Sequence, residues 1–195
     1  MRTRLIPVLV LAMAVPAAAQ MFDDFVLPTG GGKAPAGAPP FVIADFDQGK
    51  CALKDGSPFL AAAGAKVEAR PEDKIRHLGK GQSMKVSYEL GADQPAVLRV
   101  DLKGLDASRR RSLVLQVFGA KEGTPGEIEI VLRSASEEGH ARIKGLSPYF
   151  WSRQAIAFEK FGLKDTSRLT ALEIAIPKDS KPAKGAFFVD SIAFE

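Results

Sequence analysis

The sequence predicts an antiparallel β-sandwich, and two observations support that prediction. From Phe41 onward, apolar residues recur at every second position over short segments, which is the pattern of strands with one buried face. These segments follow one another at intervals of roughly 10 to 15 residues, a spacing typical of sandwiches and barrels. Turn-forming stretches such as AKEGTPGE and SASEEGH separate them. No long helical periodicity competes with this pattern.

The clearest strand is AVLRVDL, which places Leu98, Val100 and Leu102 on one face and Arg99 and Asp101 on the other. The segments SLVLQVF and EIEIVLR repeat the alternation. SRLTALEIAI could open with a helical turn, but its β-branched end favours a strand. The other predicted strands are Phe41–Phe46, Ser83–Leu90, His140–Lys144, Arg153–Phe158, Ala171–Ile176 and Ala186–Glu195.

Residues 1–19 have the pattern of a secretory signal peptide. Arg2 and Arg4 precede an apolar run from Leu5 to Val15, and Ala17–Ala19 supply a cleavage site. The apolar run is shorter than the roughly 20 residues that a membrane span needs. We therefore expect a periplasmic or secreted protein without a membrane span.

Residues 20–40 begin with the aromatic and acidic segment MFDDF and continue in a tract of Gly, Pro and Ala. Such a composition predicts a flexible linker, because it cannot pack a core or hold a regular strand ladder. MFDDF is open to two interpretations: a frayed terminus, or a segment that docks on the domain or on a partner. Residues 41–195 are predicted to form a single sandwich domain.

Net charge argues against a nucleic-acid partner. Without Arg2 and Arg4, the count of basic residues falls from 27 to 25 against 23 acidic ones, which lowers the formal charge from +4 to +2. A protein that binds nucleic acid usually presents a strongly basic surface.

The residue types that perform catalysis are too dispersed to predict an enzyme. Cys51, His77 and His140 are isolated in sequence, and neither a G-x-S-x-G motif nor zinc-ligand spacing is present. Glu127 and Glu129 are two residues apart on one predicted strand, so both point the same way. Glycosidase carboxylates instead flank the scissile bond.

Four segments together resemble the galactose-binding-like jelly-roll domains. They are GQSMKVSYEL, LRVDLKGLDASRRRSLVLQVFGAK, FGLKDTSRLTALEIAI and GAFFVDSIAFE. This group includes bacterial carbohydrate-binding modules and the related complex I intermediate-associated domain. The resemblance covers nearly all of residues 41–195 in the same order, and it implies a jelly-roll sandwich that binds a ligand without catalysis.

The resemblance also implies a structural calcium. Many carbohydrate-binding relatives hold this ion with a carboxylate from an N-terminal F-E-x-G-like stretch and an Asp from a C-terminal V-D-D-I-like strand. The corresponding residues are Asp47 in FDQG and Asp190 in VDSI, and Asp45 on the same predicted strand face is the third candidate. Ser191 stands where a second Asp is common. The alternative is that Asp45 and Asp47 are polar residues on an edge strand and at its turn, with Asp190 held by local hydrogen bonds.

The ligand candidates combine aromatic and polar side chains. Sugar sites need aromatic platforms with polar groups beside them. In relatives, the tryptophan at the position of Trp151 usually packs into the sandwich edge, which leaves Tyr149 as the freer aromatic. Two functions remain open: glycan binding on the concave jelly-roll face, or binding of another exported protein through MFDDF or the sheet surface. The candidate ligand-binding residues are Tyr149, Arg99, Asp101, Gln116, Arg142 and Trp151.

Overall fold

The computed structural model describes residues 39–62 and 66–195. The predicted signal peptide, and the predicted linker as far as residue 38, lie outside the described residues. None of the described helices is long and apolar enough to cross a membrane. Nearly all of the regular structure within the two ranges is antiparallel strand, which confirms the predicted β-sandwich.

The elements of the described chain are short strands joined by turns. One short helix, α1, and one 3₁₀ turn interrupt them. In order, the elements are β1 (Phe41–Ala44), β2 (Leu60–Ala61), β3 (Lys66–Glu72), the 3₁₀ turn His77–Gly79, β4 (Ser83–Glu89), β5 (Ala96–Leu105), β6 (Ser112–Gly119), β7 (Glu127–Ser134), β8 (Glu138–Lys144), β9 (Ser152–Ala157), α1 (Phe158–Phe161), β10 (Leu169–Ile176) and β11 (Lys184–Phe194).

Two sheets form the sandwich. The six-stranded sheet has the order β3-β4-β11-β6-β9, and β1 pairs with the C-terminal part of β11. The five-stranded sheet has the order β2-β5-β10-β7-β8. Alternate residues of both sheets form one buried core, so Leu98 and Val100 from β5 share it with Leu113 and Leu115 from β6. Burial of each such side chain stabilises the fold by about 1.5 to 3 kcal/mol.

A bulge in β11 brings the two ends of the domain together. Ser191 has a φ of 48°, and the pairing of β11 with β6 shifts register between Asp190 and Ala193. Before the bulge β11 pairs with β4, and after it β11 pairs with β1. The chain that leaves β1 and the chain that enters β4 therefore meet beside Asp190.

The first strand is shorter than predicted. It ends at Ala44 because Phe46 adopts a φ of 56° and its carbonyl accepts a hydrogen bond from the Gly49 N–H at 3.0 Å. This turn follows the strand directly. The prediction that Asp45 and Asp47 stand on one face of a strand is therefore wrong.

Candidate functional site

The outer face of the five-stranded sheet is covered by charged side chains, and we call it the charged face. It results from strand alternation, since each core residue of β5, β7, β8 and β10 is followed by one that points away from the core. The register places Glu173 beside Arg99 on one side, and Glu129 beside Arg142. The ionisable side chains on this face are Arg99, Asp101, Glu127, Glu129, Arg133, Glu138, His140, Arg142, Lys144 and Glu173.

At the centre of the charged face, two arginines hold a buried carboxylate. Glu173 is only 7% exposed. Its Oε1 accepts hydrogen bonds from Arg99 Nη1 at 3.1 Å and from Arg133 Nε at 2.9 Å. Such charge-assisted bonds fix both guanidinium groups in orientation. Arg133 also contacts Glu138, which extends the ion pairs toward β8.

The ion pairs continue to the edge strand β8. His140 Nε2 lies 2.8 Å from Glu138 Oε1. Arg142 Nη1 lies 3.2 Å from Glu127 Oε1, and the Arg142 Nε lies 3.6 Å from Glu129. Two sets of ion pairs therefore cover the charged face, one from β5 to β8 through Glu173 and one between β7 and β8, and His140 lies between them within reach of Glu138 and Glu129.

A cavity of about 530 Å³ opens where β2 meets β5. Its lining joins aliphatic Pro58 and Leu60 to the charged Arg99, Asp101 and Lys103. Leu60 is 62% exposed. The Lys103 N–H donates to Asp101 Oδ1 at 2.7 Å. This end of the charged face thus combines an aliphatic surface with fixed polar groups.

The lysine of the cavity is held by a second carboxylate. Lys103 Nζ donates to Asp55 Oδ2 at 3.0 Å. The pKa of Asp55 is lowered to about 2, first by the backbone N–H of Ser57 and then by Lys103. Asp55 is therefore ionised at neutral pH, and it pairs with the lysine at the cavity wall.

The structure divides the six predicted ligand residues between two surfaces. Arg99, Asp101 and Arg142 lie together on the charged face. Gln116 belongs to the six-stranded sheet, where it pairs with Asp190. The expectation that Gln116 lines one cleft with Arg99 is therefore wrong, because alternation fixes the face of a strand but not the sheet that it joins.

Tyr149 and Trp151 precede β9 and also belong to the side of the six-stranded sheet. Trp151 packs on Phe118 with ring centroids 5.4 Å apart, and its Nε1 donates to the Arg76 carbonyl at 3.0 Å. It is thus anchored against the sandwich, as the resemblance implies. Tyr149 is 84% exposed and is the freer aromatic, but it does not share the charged face with Arg99.

The second site lies at the β11 bulge and centres on Asp190. This residue is only 5% exposed, and Ser191 Oγ donates to its Oδ1 at 3.3 Å. Burial raises the pKa of Asp190 to about 6, and the nearby carboxylate of Asp47 adds to the increase. No lysine or arginine within residues 39–62 and 66–195 forms an ion pair with Asp190, and its carboxylate is met instead by hydrogen bonds from Ser191 and from the His77 backbone.

Two further oxygen-bearing side chains border this bulge. Asp47 Oδ1 accepts a hydrogen bond from the Gln82 N–H at 3.3 Å. The same Asp47 oxygen lies against Gly81: a Cβ atom added to Gly81 would be only 1.7 Å from it. The Oε1 atom of Gln82 is buried without a hydrogen-bond partner. An unsatisfied buried acceptor is costly, and together with two carboxylates it is a donor set suited to a hard cation.

The fit to a cation has two limits. No group of three or more His, Cys, Asp or Glu side chains in the described ranges is arranged to hold a metal. Full coordination therefore needs backbone carbonyls in addition to the side chains. Asp45, the third predicted ligand, instead forms an ion pair with Lys54 at 2.9 Å.

Sequence reasoning missed Glu173, Leu60 and Gln82. Glu173 had a signal, since it is the one charged residue within the apolar stretch ALEIAI. Leu60 and Gln82 had none, because each acquires its surroundings from segments distant in the chain.

Comparisons with known proteins identify the fold. No protein-family model matches the chain, and no curated protein matches it. The family 11 carbohydrate-binding module from Clostridium thermocellum, solved with a β-1,3-1,4-mixed-linked tetrasaccharide, aligns with a TM-score of 0.62 at 19% identity. That alignment covers 80% of this chain and 94% of the module.

Two more solved structures have the same fold. The CBM27-1 module of Caldicellulosiruptor saccharolyticus, solved with mannohexaose, aligns with a TM-score of 0.53 at 14% identity, over 81% of this chain and 97% of that one. An exo-β-agarase aligns with a TM-score of 0.63 at 9% identity, over 80% of this chain and 24% of the enzyme. At these identities the likeness shows the fold alone. The predicted resemblance to carbohydrate-binding modules is confirmed at that level, and the likeness to the complex I domain stays a prediction.

Proposed function

We propose that this protein is an exported, non-catalytic carbohydrate-binding module that holds a polysaccharide on the charged face. The observation that carries the proposal is the cavity lining, in which Pro58 and Leu60 stand with Arg99 and Asp101. A pyranose ring has apolar C–H faces and a rim of hydroxyl groups. It therefore matches a pocket that combines aliphatic surface with a few placed polar groups. Export rests on the predicted signal peptide.

The arginine network supports the same function. Glu173 holds the guanidinium groups of Arg99 and Arg133, and a guanidinium carries five N–H donors. The N–H donors that do not contact Glu173 can reach ligand hydroxyls. Because the two arginine side chains are already held in place, they lose little conformational freedom when a ligand binds, which lowers the free-energy cost of association. This arrangement replaces the aromatic platforms expected from the sequence, since Tyr149 and Trp151 lie elsewhere.

The structural neighbours support a polysaccharide as the class of ligand. Two of them were solved with oligosaccharides, a mixed-linked β-glucan fragment and mannohexaose, and another belongs to an agarase. Because the fold alone is shared, these ligands are starting points for a binding screen.

A non-catalytic role agrees with the state of the candidate catalytic groups. Glu127 contacts Arg142 and Lys144, and Glu129 contacts Arg142, so both carboxylates are held in ion pairs. Burial raises the pKa of the Cys51 thiol to about 11, which keeps it protonated at neutral pH. A protonated thiol is a poor nucleophile.

We also propose a structural calcium at the β11 bulge, held by Asp47, Asp190 and Gln82 Oε1 with backbone carbonyls. The ion would neutralise the buried carboxylate and satisfy the unpartnered amide oxygen. It would also join the segment after β1 to β11 and to the segment before β4. Its role is in stability and not in sugar contact.

Affinity electrophoresis of the full chain tests the function, with gels that contain mixed-linkage β-glucan, glucomannan, xylan or agarose. We expect at least one polysaccharide to retard the protein. Leu60→Ser should weaken that binding about tenfold, since it removes the aliphatic wall, which corresponds to about 1.4 kcal/mol. Leu78→Ser is the matched control, because Leu78 is also an exposed leucine but lies on the 3₁₀ turn. Absence of retardation by any polysaccharide, or equal binding by Leu60→Ser, contradicts the proposal.

A further inference from the structure

The two signs of charge on the charged face lie at different depths. In the Arg99–Glu173 pair the arginine side chain is 50% exposed and the glutamate 9%. In the Lys144–Glu127 pair the values are 73% and 19%. Arg142 and His140 are likewise more exposed than Glu129, which both of them contact. In the Arg133–Glu138 contact the two side chains are exposed to nearly the same extent.

Side-chain length explains this layering. A glutamate that follows the sheet surface stays close to the backbone, whereas lysine and arginine extend their aliphatic stems and place the charge further out. On the other sheet the cation is also the more exposed partner, but the carboxylates are less deeply placed: Glu68 is 57% exposed beside Arg70, and Glu89 is 45% exposed beside Lys66 and Lys184. Among the ion pairs of the described residues, the carboxylates with less than a quarter of the side chain exposed are Glu127, Glu129 and Glu173, and all three lie on the charged face.

Away from the exposed Asp101 at the cavity, a ligand that approaches the charged face meets cationic groups first. The formal charges of the face nearly cancel, but Coulomb energy depends on distance, so at contact the outer guanidinium and ammonium groups outweigh the carboxylates beneath them. The carboxylates beneath also orient Arg99 and Arg142, whose ion pairs use Nη1 of Arg99 and Nη1 and Nε of Arg142. A guanidinium presents pairs of N–H donors that match the two oxygens of an oxyanion.

We infer that the charged face recognises an anionic polysaccharide, through carboxylate or sulfate groups on its sugars. The inference rests on the proposed function and names the class of its ligand. The aliphatic wall at Leu60 takes the apolar face of a sugar ring, while the outer cations of β5, β7 and β8 take its acidic substituents. The alternating network thus serves recognition in addition to the stability of the sheet.

Matched polymer pairs that differ in charge test this inference. Polygalacturonate and its fully methyl-esterified form share one backbone and differ in their carboxylates. In the same way, κ-carrageenan and its chemically desulfated form share one galactan backbone and differ in sulfate. Calorimetric titration of the full chain should give at least tenfold tighter binding to one acidic polymer than to its neutral counterpart. Raising the salt from 20 to 300 mM should weaken that binding several-fold, because salt screens exposed charges. The acidic polymer that binds distinguishes carboxylate from sulfate.

A pair of double variants locates the effect. Arg142→Gln with Lys144→Gln removes two outer cations from β8, the edge strand of the charged face. Lys66→Gln with Arg70→Gln makes the same change in net charge on β3, the edge strand of the other sheet. We expect the β8 variant to lose at least tenfold in affinity for the acidic polymer and the β3 variant less than twofold. Circular dichroism melts confirm that both are folded.

The outcomes separate this inference from the proposed function. Equal binding of the acidic and neutral members overturns the anionic ligand and leaves carbohydrate binding intact. Equal losses in the β8 and β3 variants overturn the assignment to the charged face, since they indicate attraction to the whole molecule. Absence of binding to both acidic polymers overturns the inference, and the proposed function falls with it only if none of the polysaccharides in the affinity gels retards the protein either.

Discussion

Glu173 and Asp190 are both buried carboxylates on the outer faces of central strands, yet their surroundings differ. Glu173 on β10 is bound by two arginines from the neighbouring strands. Asp190 on β11 has Ser191 as its side-chain hydrogen-bond partner and lies near the like charge of Asp47. A buried charge is stable only when it is paired or bound to a metal. The five-stranded sheet therefore supplies its own counter-charge, whereas the bulge in the other sheet is suited to an added ion.

The partners of Glu173 and of Asp190 come from different parts of the fold, so the two sheets are organised in different ways. The partners of Glu173 are fixed by strand register, so the charged face is already organised before a ligand arrives. The neighbours of Asp190 come from the segments beside β1 and β4, so their position depends on how the ends of the domain are held. The proposed recognition surface and the proposed cation site thus lie on opposite sheets.

Replacing the buried Glu173 should have the largest effect. Glu173→Ala leaves Arg99 and Arg133 without their common partner, and loss of one member of a buried ion pair is strongly destabilising. Since both arginines are partly exposed, we expect a loss of about 2 to 3 kcal/mol in the free energy of unfolding. Urea denaturation followed by circular dichroism measures it.

The control is Glu68→Ala, which breaks an exposed ion pair on β3 and should cost less than about 0.5 kcal/mol. If Glu173→Ala and Glu68→Ala lose the same free energy of unfolding, then water hydrogen-bonds to Arg99 and Arg133 as well as the Glu173 carboxylate does. The charged face would then not be organised by Glu173.

Much of the fold could be predicted from the sequence because alternation is a local signal. The strand at Ala171–Ile176, for example, was found despite the competing helical interpretation, and the structure places it at Leu169–Ile176. β3 was missed. Its segment KVEARPE is mostly charged and contains Pro71, which is tolerated because β3 is an edge strand.

The candidate site was less predictable because it depends on which strands pair. Arg99 and Asp101 were identified correctly as outward residues of one strand. Nothing local, however, shows that β5 joins β10 while β6 joins β11, so Gln116 was grouped with Arg99. Glu173 owes its role to two arginines that are 74 and 40 residues distant in the chain. Such contacts follow from sheet topology and not from residue spacing.

Calcium should raise the stability of the other sheet by a smaller amount. At a calcium concentration ten times the dissociation constant, binding to the native state alone adds about 1.4 kcal/mol. Thermal melts of the full chain with calcium and with excess chelator measure the difference. It should disappear in Asp47→Asn and persist in Asp45→Asn, because the structure pairs Asp45 with Lys54. Identical melting with calcium and with chelator contradicts the cation site.

The pH dependence of the metal-free protein should show the smallest effect. The pKa of Asp190 is raised to about 6 in the folded state from an ordinary value of 3.8, so the folded chain binds this proton more tightly than the unfolded chain does. The resulting stability is fully present below pH 3.8 and is lost as the pH rises through 6. Between pH 4 and 7 in chelator, the free energy of unfolding of the wild type should therefore fall by about 1 kcal/mol more than that of Asp190→Asn. This figure allows for screening by solvent. Urea denaturation across this range measures the two curves. Parallel curves would show that Asp190 is compensated without a cation, and the contrast with Glu173 would then disappear.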